Sequence, residues 1–145
     1  MIGYFDTSAV VPLVIAEESS VHCADIWQAC DVRISSMLVV AEAYAALAQA
    51  LRLGRLTQEQ HDKASKLLGL RIEELDLVVP SREIVDSAAE LARTYALRGY
   101  DAVHAATALA LSSPDLVVIS GDRALLDAIA SLGASIVDIN AVTGQ

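Results

Sequence analysis

The sequence predicts an α/β fold, with a mainly parallel central sheet covered by helices on both faces. Three observations carry this. Short runs rich in β-branched residues, such as "VRIS" (Val32 to Ser35) and "LVVIS" (Leu116 to Ser120), recur along the chain. Longer segments with helical periodicity separate them, and parallel strands need such crossovers. Hydrophobic residues make up 54% of the 145 residues, which suits a real core and excludes disorder.

The elements follow in order. "IGYF" (Ile2 to Phe5) is a strand that ends at Asp6. "TSAVVPLVIAE" then starts a helix, with Thr7 or Ser8 as cap and Pro12 in the first turn. A second helix covers about Ser19 to Ala29, and "VRIS" is the next strand. Ser35 or Ser36 caps the following helix, which carries Glu42 and stops near Gly54. Thr57 opens another helix, with Glu59 or Gln60 completing its first turn. These two helices form a hairpin. "LVVP" (Leu77 to Pro80) is a short strand, and Ser81 starts a helix to about Leu97. "RGY" interrupts it before "DAVHAATALALS", a helix starting at Asp101. "LVVIS" is the clearest strand; a helix stopped by Gly133 and a last strand "SIVDI" complete the chain.

Composition removes several functions. The formal net charge is −9, against backbone-driven nucleic-acid binding, which rests on clustered Lys and Arg. No stretch approaches the length of a membrane helix. The run Ala9 to Ala16 resembles a signal-peptide core, but Asp6 precedes it and no basic residue does. The chain therefore reads as cytoplasmic, with no membrane contact. Cys23 and Cys30 match neither zinc spacing nor a CxxC pair and read as reduced, packed thiols. No phosphate loop, GxGxxG or GxSxG is present.

Four carboxylates stand out by context. Asp6 ends an apolar strand, and Asp122 follows another after a glycine. Glu42 interrupts an apolar helix, with Leu38, Val39, Ala45 and Ala46 on its own face. Asp101 opens a helix with no other acid. Singly, each has an ordinary explanation: a cap, a first-turn acid favoured by the helix dipole, or a polar gap. Jointly they change the picture, because parallel sheets bind ligands beyond the carboxyl ends of their strands, where Asp6 and Asp122 fall. If all four converge, their repulsion demands a cation or protonation. An all-oxygen set suits Mg²⁺ or Mn²⁺, and such sites serve phosphodiester hydrolysis. His104 lies three residues after Asp101 and reads as a packed or surface histidine rather than a site residue. Arg98 and Arg123 adjoin the acids and are placed to reach phosphates; Arg52 and Arg55 close the Glu42 helix.

The segments "YFDTSAVV", "AEAY", "GYDAVHAATAL" and "VISGDRAL" resemble, in that order, the acidic motifs of PIN-domain ribonucleases. Size and the lack of an appended domain resemble the VapC toxins of toxin–antitoxin modules. The resemblance implies a single PIN-like three-layer domain over residues 1–145, with a helical hairpin insertion. It implies a metal-dependent endoribonuclease toxin that uses Mg²⁺, with Mn²⁺ able to substitute. Asp6, Glu42, Asp101 and Asp122 would be the catalytic metal ligands. Ser120 matches the hydroxyl residue two before the last acid, and Thr7 and Ser8 match the polar pair after the first. The further acid many PIN domains carry is replaced by "RALL" after Asp122, which leaves one or two metals open. The implied partners are RNA, a VapB-like antitoxin whose tail places a basic side chain among the acids, and a second copy in a homodimer. The hairpin from Met37 to Leu75 has apolar residues either to line the antitoxin groove or to pack the core. Two alternatives stay open: a phosphatase or phosphotransfer domain with Asp6 as nucleophile, and a non-enzymatic interaction domain on the same fold.

Overall fold

Five strands lie side by side in the order β3-β2-β1-β4-β5, and every neighbouring pair is parallel. The structure is a computed structural model describing residues 1–111 and 113–141. The strands are β1 (Ile2–Phe5), β2 (Val32–Ser36), β3 (Asp76–Val78), β4 (Leu116–Ser120) and β5 (Ser135–Asp138). Between them run α1 (Thr7–Val10), α2 (Ser20–Ala29), α3 (Leu38–Arg52), α4 (Gln58–Glu73), α5 (Arg82–Tyr95), α6 (Gly99–Ala110) and α7 (Arg123–Ser131). The chain moves outward from β1 through β2 to β3, then crosses back to β4 on the other side of β1. That reversal puts a crevice between β1 and β4, the usual binding place in open parallel sheets.

Alternation along the strands feeds two cores. Phe5 and Ile119 pack on one face with Trp27, Val39, Leu47 and Leu68. Tyr4 and Val118 pack on the other with Ala102, Ala106, Leu125 and Ile129. This is the three-layer arrangement, with α2, α3 and α4 serving the first face and α5, α6 and α7 the second. Gly3 is small for a reason: a Cβ there would lie 2.6 Å from Cys30 Sγ and 2.8 Å from the Phe5 ring. Both cysteines are free and buried. No helix among the described residues is long and apolar enough to cross a membrane.

Several elements differ in detail from the sequence reading. The first helix is one turn, followed by a 3-10 turn over Val11–Leu13. Pro12 lies in that 3-10 turn rather than in the first turn of a longer helix, because it cannot donate the amide that would continue the α-helix. Asp6 occupies the cap position, not Thr7 or Ser8. Met37 occupies the cap of α3, although Ser36 Oγ accepts the Leu38 amide at 3.3 Å; Ser35 donates to Phe5 O instead. The third strand is one residue earlier and ends at Val78. Helix α6 starts at Gly99, so Asp101 is a first-turn residue rather than the opening one. The break before it is made by Ala96, in left-handed backbone at φ 53°. Ser112, the last residue of the sequence segment read as that helix, lies outside the described residues, as do residues 142–145.

Candidate active site

The register of β1 on β4 pairs Phe5 with Ile119, so Asp6 and Ser120 emerge together at the strand ends. Asp6 is 3% exposed. Ser8 Oγ donates to its Oδ1 at 2.7 Å, and Ser120 Oγ donates to its Oδ2 at 2.9 Å. Burial pushes the Asp6 carboxyl up to about 6; the serine hydroxyls and His104 pull against that rise, and the charge of Asp101 adds to it. The same hydroxyls knit the two strand ends together. Ser8 Oγ accepts the Gly121 amide at 2.8 Å, and Ser120 Oγ accepts the Asp122 amide at 2.9 Å.

Asp122 caps α7, with Oδ1 accepting the Leu125 amide at 3.1 Å. The cap leaves its other oxygen facing the crevice, where Arg98 Nη2 lies 3.5 Å away. Arg98 Nε also donates to Asp101 Oδ2 at 2.9 Å, so one guanidinium bridges two of the acids. Those carboxylates, Asp101 first, raise the Arg98 pKa further. Glu42 arrives from α3. Its Oε1 accepts Thr7 Oγ1 at 2.9 Å and contacts His104 Nε2 at 2.7 Å.

Asp6, Glu42, Asp101 and Asp122 all line one open cleft of about 360 Å³. Ser120 does not line it; the residue is fully buried behind Asp6, and its contribution is to hold Asp6 and Asp122. Three further residues of the cleft bear on its chemistry. Glu17 comes from the loop before α2, and nothing local in the sequence marks it. Arg98 sits among the acids rather than out towards a substrate. His104, read as packing, is 1% exposed yet lines the cleft through its Nε2 edge. Its position three residues after Asp101 was the available signal, since that spacing shares a helix face. Arg123 instead pairs with Asp127 and Asp138 on the surface.

The anionic donors are all oxygen: five carboxylates, Glu17 among them, with the Thr7 and Ser8 hydroxyls beside them, while His104 Nε2 is engaged by Glu42. That chemistry fits a hard divalent cation and not zinc. Among the described residues no three His, Cys, Asp or Glu side chains close on one point as an all-protein cage would. An Mg²⁺-type site needs no such cage, because the ion keeps several waters and takes one or two carboxylates. The Arg98 guanidinium between Asp101 and Asp122 marks where positive charge is favoured.

Comparison with known proteins identifies the family of this fold. Residues 3–131 match the PIN domain family model. Ribonuclease VapC49 of Mycobacterium tuberculosis is 41% identical over 127 residues, covering 84% of this chain and 85% of its own. Among solved structures, PAE2754 from Pyrobaculum aerophilum superposes with a TM-score of 0.71 at 24% identity, covering 94% of this chain and 89% of that one. A toxin–antitoxin complex from Klebsiella pneumoniae gives 0.64 at 17% identity, covering 97% and 99%. The strand order, the acidic crevice at the chain reversal and these matches together establish that this chain belongs to the PIN-domain family, alongside the VapC ribonucleases.

Proposed function

We propose that the chain is a metal-dependent endoribonuclease acting as the toxin of a toxin–antitoxin pair. The observation that carries this is the single cleft at the β1–β4 reversal that Asp6, Glu42, Asp101 and Asp122 all line. Their residue types support Mg²⁺ as the ion, with Mn²⁺ able to replace it. When bound, the ion activates water and offsets charge on the phosphate oxygens and the leaving group. The protein's part is positioning. Ser8 and Ser120 hold both oxygens of Asp6, and Thr7 and His104 hold Glu42. Asp101 and Asp122 form the outer wall, with the Arg98 guanidinium paired to both. A phosphotransfer reading is not favoured: the residue two after Asp6 is Ser8, whose hydroxyl is committed to Asp6.

The family relationship supports a VapB-like antitoxin, and the acidic cleft would receive a basic side chain from it. An exposed apolar surface on α5 and α6, around Val85 and Tyr100, supports a homodimer. Reduced, buried cysteines fit a cytoplasmic place of action. Residues 1–145 are read as one PIN-like domain.

The test is to map new RNA 5′ ends after brief induction of the wild type and of Asp6→Ala. New ends that depend on Asp6, reproduced by purified protein with Mg²⁺ and abolished by a chelator, are expected. Identical ends from both proteins would remove the reading.

A further inference from the structure

Burying an imidazole and a phenol together in an alanine-rich layer is costly unless their polar atoms are bonded. His104 and Tyr4 are so buried, at 1% and 0% exposure. Their rings meet edge-on with centroids 5.9 Å apart, and the Tyr4 hydroxyl lies 2.8 Å from His104 Nδ1. Thr107, one turn further along α6, donates its hydroxyl to Val103 O. On its other side, His104 reaches out of the core to Glu42. An unbroken polar line therefore runs from beneath the sheet, through α6, to one carboxylate of the cleft. A leucine at position 104 would fill this layer without the desolvation cost, so packing does not explain the histidine.

We propose that His104, braced by Tyr4, is the positioning residue that orients Glu42 for cation binding. The inference rests on the metal-dependent reading above. An ionised carboxylate only accepts hydrogen bonds, so the 2.7 Å contact places a proton on Nε2, donating to Oε1. Thr7 Oγ1 donates to the same oxygen at 2.9 Å. With Oε1 engaged twice, Oε2 is the oxygen left for a cation or its bound water. Glu42 stands on a helix whose neighbouring side chains are apolar and offer no other hydrogen bond. Outer-shell donors of this kind fix ligand orientation at metal sites. Tyr4 acts one step further back, by holding the imidazole plane.

Calorimetric titration with Mn²⁺ tests this on wild type, His104→Leu, His104→Gln, Tyr4→Phe and the Tyr4→Phe/His104→Leu pair, with thermal melts alongside. His104→Leu should weaken Mn²⁺ binding about 10–100-fold, the usual cost of losing an outer-shell partner. His104→Gln keeps an N–H donor and should recover most of that loss. Tyr4→Phe should weaken binding less, and should add nothing once position 104 is Leu. Nitrogen-15 spectra of the metal-free wild type should show the imidazole proton on Nε2. A native melt with wild-type Mn²⁺ affinity in His104→Leu would overturn the proposal, as would a bare Nε2. Should His104→Leu fail to fold, Tyr4→Phe and the nitrogen spectra decide. A wild type that binds no Mn²⁺ removes the metal reading and this inference together; a wild type that binds, with variants that match it, removes this inference alone.

Discussion

Asp6 is a buried carboxylate at 3% exposure, and the fold retains it. Its carboxyl is raised to about 6 because burial disfavours the ionised form. The folded state therefore binds this proton more tightly than the unfolded chain, whose aspartates titrate near the ordinary value. The sign follows: the metal-free protein gains stability from this group as pH falls below about 6 and loses it as pH rises through that value. The effect is on the order of 2 kcal/mol. Melting of the metal-free wild type should fall between pH 5 and pH 7.5, and Asp6→Asn should flatten that part of the profile. Mn²⁺ at pH 7.5 should raise the wild-type melting temperature and leave Asp6→Asn unmoved. Asp6 and Asp122 were legible from sequence because a strand end is recognisable. Glu42 was legible because a charge on an apolar helix is expensive. His104 was legible only through its spacing from Asp101, since the partner that explains its burial, Tyr4, is a hundred residues away. Arg98 was visible as a neighbour of Asp101, but its bridge to Asp122 depends on how α6 and α7 come together.

Element boundaries were readable where local chemistry decides them. Thr57 and Gln60 form the reciprocal cap expected from their spacing. Thr57→Ala should cost about 1 kcal/mol in denaturant unfolding, with RNA cleavage unchanged, because the cap is far from the cleft. The α5–α6 break was only half readable. Gly99 suggested an interruption, yet the left-handed residue is Ala96, whose Cβ disfavours that backbone. Ala96→Gly should therefore stabilise the protein by about 0.5–1 kcal/mol, measured the same way. The first helix was overread because apolar periodicity continues through Pro12 while hydrogen bonding does not.

Across the whole molecule, the −9 charge and the acidic cleft set the terms of RNA binding. Of the ten Lys and Arg residues, several are engaged by acids: Arg71, Arg82, Arg93, Arg98 and Arg123 all stand in ion pairs. Few are left for phosphates. Between 50 and 200 mM salt, a protein with 6–10 phosphate contacts loses about 10³–10⁵ in affinity. This chain should lose less than about tenfold, measured as RNA binding at fixed Mg²⁺ with a cleavage-inactive variant; a steep slope would mean a basic surface not evident here. The sheet order has a consequence in time. The strand that carries the Ser120 partner of Asp6 is made more than a hundred residues after it. Glu42 likewise waits for His104. A nascent chain thus lacks an assembled cleft until β4 has left the ribosome and slotted in beside β1. Until then the four acids are not brought together, and the site has no means to act.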